Sequence, residues 1–203
     1  MVEFPKQSQR DLTAWIIRHF KSHQKTITPE LCAYLIDITG GAMSALGGEI
    51  EKIAAYAPGP EIRKSDVDAV TEPVLDAVVF QMTDALGAGD YEGALKKLRT
   101  LYQMQQEPIA ILGAVGAHLR RISAARILID GGKGGDELMK VCGLKDYAAR
   151  KTMAAAKRFS PRFCRQAAAL VLETDSKLKT SFDQPERLLE LCLLELAQEA
   201  KHG

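Results

Sequence analysis

The chain has 203 residues, of which 46% are hydrophobic and 26% are charged, with a formal net charge of +1 at pH 7. This composition is ordinary for a soluble globular protein, and it gives no general argument for a nucleic-acid, membrane or acidic partner. The length allows one large domain or two small ones. The four cysteines are widely spaced without a CxxC pair. We therefore expect reduced thiols in a cytoplasmic protein and no zinc or redox motif.

Helical periodicity and helix-ending residues predict an all-α protein that begins with a small domain of three to four helices in residues 1–73. Ser8 and Thr28 are the predicted N-caps of the first two helices, and Gly40 follows the last turn of the second. The third helix lies in "MSALGGEIEKIAAYA". A short fourth helix is predicted to start behind Ser65.

A larger helical domain is predicted for residues 74–203. Each break between its helices has glycine, proline or an N-cap residue. Gly113 and Gly116 lie inside its longest helix, where each costs about 1 kcal/mol relative to alanine. We expect these glycines to let another helix approach closely. The predicted helices cover residues 76–86, 91–105, 108–129, 135–141, 146–159, 161–180 and 185–201.

The residue types that carry catalysis or hold cofactors do not form a recognisable site in this sequence. No glycine-rich phosphate loop of the GxxxxGK[ST] kind is present. His19 and His23 are four residues apart, but no HExxH pattern or nearby acid completes a metal site. Asp175 and Lys179 share a helix face and predict a surface ion pair, whereas Lys177 points elsewhere. We therefore expect no catalytic, cofactor-binding or metal site.

The stretch "GGAMSALGGEIEKIAAYA" resembles the lid-domain helix of the bacterial DNA polymerase III delta subunit, a component of the clamp loader. The resemblance continues in the family's order through "IRKSDVDAVT", through "VFQMTDALGAGDYEGALKKLRTLYQMQQEPIAILGAVGAHLRRI" and through "RFSPRFCRQAAALVLETDSKLKTS". It spans nearly the whole chain. The lid-helix pattern is carried by Gly40, Glu49, Ile50, Glu51, Lys52, Ile53 and Tyr56.

This resemblance implies a lid in residues 1–73 and a collar in residues 74–203. The collar would pack against the other loader subunits, gamma/tau and delta prime, in a pentameric ring. The chain would be a non-catalytic scaffold, although its family belongs to the DNA polymerase III holoenzyme, a DNA-directed DNA polymerase. Family members also carry an N-terminal ATPase-type domain, which contacts the sliding clamp. Because this sequence starts at the stretch that resembles the junction into the lid, we expect it to be a fragment or the product of an incomplete gene model. We also expect that this chain alone does not bind the clamp.

The lid helix also separates the delta subunit from its ATP-binding relatives. Those subunits carry an arginine in the pattern Gly-x-x-Arg-x-Ala-Leu, which senses the nucleotide phosphate. Aligning Gly40, Ala45 and Leu46 with that pattern puts Met43 at the position of the arginine. Methionine cannot contact a phosphate as a cation. The resemblance therefore favours delta over gamma/tau, argues only weakly against delta prime, and implies no ATP binding.

The basic residues are concentrated between positions 118 and 165, a segment that contains twelve Lys and Arg residues but only four Asp and Glu residues. We predict a basic patch that faces DNA or an acidic neighbouring subunit, or else is only a solvated surface. Its predicted members are Arg120, Arg121, Lys157 and Arg158. An alternative function is a helical nucleic-acid-binding module, although no recognition-helix motif and few aromatic residues support it. A helical enzyme with an unrecognised site is disfavoured by the missing motifs.

The last helix, "ERLLELCLLELA", has an apolar arc of roughly 200°, whereas a surface helix needs about 100°. We predict that one apolar set stays partly exposed and contacts a partner. Burial of both sets within one chain would contradict this interface. The first set comprises Leu188, Leu191 and Cys192, which share their side of the helix with Glu195. The second set, on a different side, comprises Leu189, Leu193 and Leu196. The predicted interface comprises Leu188, Leu189, Leu191, Leu193 and Leu196.

Overall fold

The computed structural model describes residues 8–201, so the predicted junction that begins at Val2 lies partly outside the described residues. Within residues 8–201 the chain forms eleven α-helices and no strand, which confirms the predicted all-α class. A single isolated bridge joins Thr26 and Glu61 in this described part. The chain divides into two compact units, Met1–Val74 (unit 1) and Leu75–Gly203 (unit 2).

Unit 1 contains four helices, and the predicted capping residues set the starts of the first two and the end of the second. The Ser8 and Thr28 hydroxyls accept hydrogen bonds from the backbone N–H groups of Asp11 and Leu31, each at 3.2 Å. Gly40 ends the second helix with a φ of +76°, a conformation that glycine adopts without steric cost. The helices are α1 (Gln9–Ser22), α2 (Pro29–Thr39), α3 (Met43–Tyr56) and α4 (Lys64–Val70).

The fourth helix starts earlier than the sequence predicts. Ser65 lies inside α4, and Arg63 precedes its first residue in an extended conformation. The Asp66 carboxylate accepts a hydrogen bond from the Arg63 backbone N–H at 2.8 Å. Asp66, the third residue of α4, thereby satisfies the backbone N–H of Arg63 just before the helix. Ser65 is therefore not needed as an N-cap.

The loops of unit 1 are joined by the contacts of a partly buried lysine. The Lys25 ammonium group donates hydrogen bonds to the Ala57 and Gly59 carbonyl oxygens at 2.6 and 2.7 Å. The adjacent backbone N–H of Thr26 donates to the Pro60 carbonyl at 2.7 Å. Hydrogen bonds from a charged donor are stronger than neutral ones, so Lys25 stabilises the connection between α1 and the end of α3.

Unit 2 contains seven helices, and two of them end earlier than predicted. The helix that starts at Tyr91 ends at Gln103, whereas the sequence predicted residue 105. The helix that starts at Asp146 ends at Ala156, whereas the sequence predicted residue 159. Ser160 is extended and caps the next helix by accepting from the Phe163 backbone N–H at 3.0 Å, so the chain leaves the helix before it. The helices are α5 (Leu75–Gly87), α6 (Tyr91–Gln103), α7 (Pro108–Asp130), α8 (Gly135–Cys142), α9 (Asp146–Ala156), α10 (Pro161–Thr180) and α11 (Pro185–Lys201).

The central element of unit 2 is α7, which packs against α5, α8, α9, α10 and α11. Its two inner glycines have different surroundings. A Cβ added to Gly116 would lie 3.1 Å from Val171 Cγ1 on α10, so this glycine allows the close approach that the sequence predicted. A Cβ added to Gly113 would meet no heavy atom within 4 Å. The close-approach interpretation is therefore wrong for Gly113.

This difference predicts opposite outcomes for the same substitution at the two positions. Gly113→Ala is expected to raise the free energy of unfolding by up to about 1 kcal/mol, because alanine favours the helix and the site is open. Gly116→Ala gains the same propensity but forces Val171 to move, so we expect no gain or a net loss. Urea denaturation of both variants measures the difference. Equal stabilisation by both substitutions would contradict the close packing at Gly116.

Candidate interaction surfaces

The five leucines of the predicted partner interface on α11 are not equally available. Leu191 is 46% exposed. The other four are buried in unit 2: Leu188, Leu189, Leu193 and Leu196. Burial gives these four no surface to offer another chain, so the proposed interface narrows to Leu191 and its exposed neighbours.

The wide apolar arc of α11 has a structural cause that a helical wheel cannot show. This helix packs against α5, α6, α7 and α10, so a broad part of its circumference is covered within its own unit. The buried residues of α11 contribute to the hydrophobic core that also contains Met82 and Leu98. Most of the excess apolar surface is therefore internal.

A second exposed leucine lies beside Leu191 and was missed by the sequence analysis. Leu194 is 38% exposed and follows Leu191 by three residues, so both lie on one side of the helix. Glu195 is also exposed next to them. The sequence does contain a signal for this pair: the two leucines are spaced i, i+3 on the side of the helix away from the buried arc. We refer to Leu191 and Leu194 as the α11 surface pair.

The predicted basic patch is partly neutralised by acids of α5. Arg121 Nη1 lies 3.9 Å from Asp76 Oδ2, and Arg158 forms an ion pair with Asp84. Asp76 and Asp84 are eight residues apart, which separates the two ion pairs by about 12 Å along α5. Arg120 and Lys157 are exposed. Two of the four predicted members, Arg121 and Arg158, are therefore paired with acidic residues of their own unit.

Between these ion pairs, α5 presents an aromatic residue to a third basic side chain. Phe80 lies four residues after Asp76 and four before Asp84, so the three residues form one stripe on the helix. The Lys151 ammonium group lies 3.6 Å from the centre of the Phe80 ring. The i, i+4, i+8 spacing of acid, aromatic and acid is visible in the sequence. Its basic partners come from distant helices, so sequence reasoning did not find the contact.

His118 on α7 lies under this stripe and is only 5% exposed. Its ring packs edge-on against Phe80 with the ring centres 4.9 Å apart, and its Nε2 atom has no hydrogen-bond partner. Burial, with smaller contributions from the charges of Arg121 and Lys151, lowers the pKa of His118 from 6.5 to about 4. The imidazole is therefore neutral at pH 7.

The residues considered for catalysis or metal binding have ordinary surface contacts. Lys179 Nζ lies 2.6 Å from Asp175 Oδ2, which confirms the predicted ion pair, and Lys177 pairs with Glu173 at 2.7 Å. The rings of His19 and His23 are stacked, with their centres 5.6 Å apart. Among residues 8–201 no group of three His, Cys, Asp or Glu side chains is placed to hold a metal ion. No helix in the same residues is long and apolar enough to cross a membrane.

Met43, which takes the place of the arginine of the pattern Gly-x-x-Arg-x-Ala-Leu, lies at the start of a helix. Met43 is the first residue of α3 and is 42% exposed. Its side chain carries no charge that could pair with a phosphate. The absence of ATP binding stays a prediction, and calorimetric titration with ATP would test it.

Comparison with known proteins matches most of unit 2 to a single family. The model of the DNA polymerase III delta subunit, C-terminal domain, matches residues 76–196. The chain belongs to this family. A curated relative named DNA polymerase III subunit delta, from Bacillus subtilis, is 23% identical over 197 residues, covering 97% of this chain. A probable DNA polymerase III subunit delta from Aquifex aeolicus is 27% identical over 141 residues, covering 68% of this chain and 40% of the relative.

A solved structure supports the fold of this delta-family chain beyond the matched domain. The structure of the Bacillus subtilis DNA clamp loader delta protein is similar with a TM-score of 0.76 and 23% identity. The similarity covers 98% of this chain and 59% of the solved chain. The chain also spans 57% of the length of the curated Bacillus relative.

Proposed function

We propose that this chain acts in DNA replication as the lid and collar part of a clamp-loader delta subunit, with unit 1 as the lid and unit 2 as the collar. The observation that carries the proposal is the family match to residues 76–196, all of which lie in one compact unit. The Bacillus relatives, named as a polymerase III delta subunit and a clamp loader delta protein, support the same role.

In this role the chain is a scaffold without catalytic activity of its own. Its collar packs beside the collars of the gamma/tau and delta prime subunits. Contact with the sliding clamp belongs to the ATPase-type domain that the family resemblance implies, and not to the lid or the collar. The α11 surface pair supports the collar contact, because adjacent exposed leucines are poorly hydrated and are covered when subunits associate.

The alternative, a nucleic-acid-binding module that uses residues 118–165, is less well supported. Two of its four predicted basic residues, Arg121 and Arg158, already contact Asp76 and Asp84. Their charge is therefore less available to phosphates than the sequence count suggests. Salt-dependent binding of single-stranded DNA that is lost when Arg120 and Lys157 are reversed in charge would favour this alternative.

A double substitution tests the collar contact. Leu191→Asp with Leu194→Asp is expected to weaken binding to gamma/tau and delta prime at least about tenfold, because two charges would enter an apolar contact. Both side chains are exposed in the chain, so the fold should be retained. Affinity can be measured by surface plasmon resonance with the loader subunits as ligands.

The matched control is Leu172→Asp, since Leu172 on α10 is 70% exposed and lies outside the α11 surface pair. It should leave the affinity unchanged. Equal binding by the double variant and the control would contradict the proposed surface. Circular dichroism of each variant checks that the helices remain folded.

A further inference from the structure

The two helices of the α8–α9 hairpin together bury a single large side chain. Its substantial packing is between the two helices and against α7. In α8 only Leu138 is buried. The buried residues of α9 are small: Ala149, Thr152, Ala155 and Ala156. Small side chains remove little apolar surface from water, so this hairpin is held less strongly than α5 or α7.

The two ends of the hairpin are attached differently. The connector from α7, residues 131–135, has the sequence GGKGG, and Gly132 has a φ of +69°. Added Cβ atoms at Gly132, Gly134 or Gly135 would meet nothing within 4 Å. At the other end Phe159 is 3% exposed and stacks on Phe163 with ring centres 4.5 Å apart. The backbone N–H groups of residues 131–133 donate hydrogen bonds to carbonyl oxygens of α7, so the conformational freedom of the connector lies at Gly134 and Gly135. The end at Phe159 is fixed by ring packing.

Two contacts join the α9 side of the hairpin to α5. The Lys151 ammonium group lies over the Phe80 ring at 3.6 Å, and Arg158 pairs with Asp84. Arg158 is next to the fixed end. Lys151 is at the middle of α9, where a cation–π contact closes the hairpin against the rest of unit 2.

We propose that the α8–α9 hairpin opens as one unit about its fixed end near Phe159, while the other helices of unit 2 stay folded, and that Lys151 on Phe80 is the contact that holds it closed. Opening uncovers the part of α7 that packs against α9. The glycine connector accommodates the movement without strain at its φ angles. This device is independent of the clamp-loader role proposed above.

Hydrogen exchange measured by mass spectrometry on the whole chain at pH 7 tests the proposal. Amides in residues 136–152 are expected to exchange at least about tenfold faster than those in the central turns of α7 and α10, after correction for intrinsic rates. Amides near Ala155 and Ala156 should be better protected than those of α8. Exchange of the hairpin at the same rate as α7 and α10 would overturn the proposal.

Lys151→Met identifies the closing contact, because methionine keeps the length of the side chain without its charge. We expect it to accelerate exchange in residues 136–152 by about two- to thirtyfold, the range that a cation–π contact allows, and to leave α10 unchanged. Lys157→Met is the matched control, since Lys157 is an exposed lysine just after the same helix. Equal exchange rates in the two variants, or acceleration spread over all of unit 2, would contradict the assigned role of Lys151.

Discussion

Lowering the pH from 7 to 4 is expected to reduce the free energy of unfolding of unit 2 by about 3 kcal/mol through His118 alone. The pKa of this histidine is lowered from 6.5 to about 4 in the folded chain, mainly by burial. Between these pH values the unfolded chain binds a proton that the folded chain does not bind. Stability therefore falls as the pH falls from about 6.5 towards 4, and this contribution becomes constant below that range.

The variant His118→Phe removes the titrating group and keeps an aromatic ring against Phe80. Urea denaturation at several pH values should show a flatter dependence between pH 6.5 and 4 than in the unsubstituted chain. Carboxylates also titrate in this range, so the comparison between the two proteins isolates the histidine. Leu172→Ala is the control, because Leu172 is exposed and has no titrating group. An identical pH dependence with and without His118 would contradict this account.

Phe163→Ala is expected to lower the free energy of unfolding of unit 2 by about 3–5 kcal/mol, a large effect for a single side chain. Only three residues of α10 are buried, and Phe163 is by far the largest of them. Its ring is 1% exposed and stacks on Phe159, which also contacts Gly87 at the end of α5. Removing it leaves a cavity at the point where three segments meet.

Leu172→Ala on the same helix is the matched control for this loss. Its side chain is 70% exposed, so we expect a change within about 0.5 kcal/mol. Chemical denaturation followed by circular dichroism measures both variants. Similar small changes in the two would contradict the interpretation that Phe163 anchors α10.

Helix boundaries were predictable where the chemistry that sets them is local. The starts of α10 and α11 agree with the sequence prediction, because each helix has proline at its first position and Ser160 also caps α10, and these signals act within one turn. The end of α9 was not predictable in this way. Its helical pattern continues to Phe159, but the chain leaves the helix after Ala156 and becomes extended at Ser160, which caps α10.

The candidate surfaces were predicted less well, because they depend on contacts between distant helices. The wide apolar arc of α11 could be predicted from its sequence. Which four helices cover that arc could not be predicted, because they come from distant parts of the chain. Likewise, Arg121 and Arg158 belong to one basic segment of the sequence, yet their partners Asp76 and Asp84 lie far earlier in the chain. A count of charges in one segment cannot include such long-range neutralisation.

Native mass spectrometry of a reconstituted loader tests the central proposal most directly. The chain is mixed with the gamma/tau and delta prime subunits of the same organism, and the mass and composition of the complexes are measured. The clamp-loader role predicts an assembly that contains one copy of this chain and loses it when Leu191 and Leu194 are replaced with aspartate. A mixture in which the other subunits associate while this chain remains entirely free would contradict the proposed function.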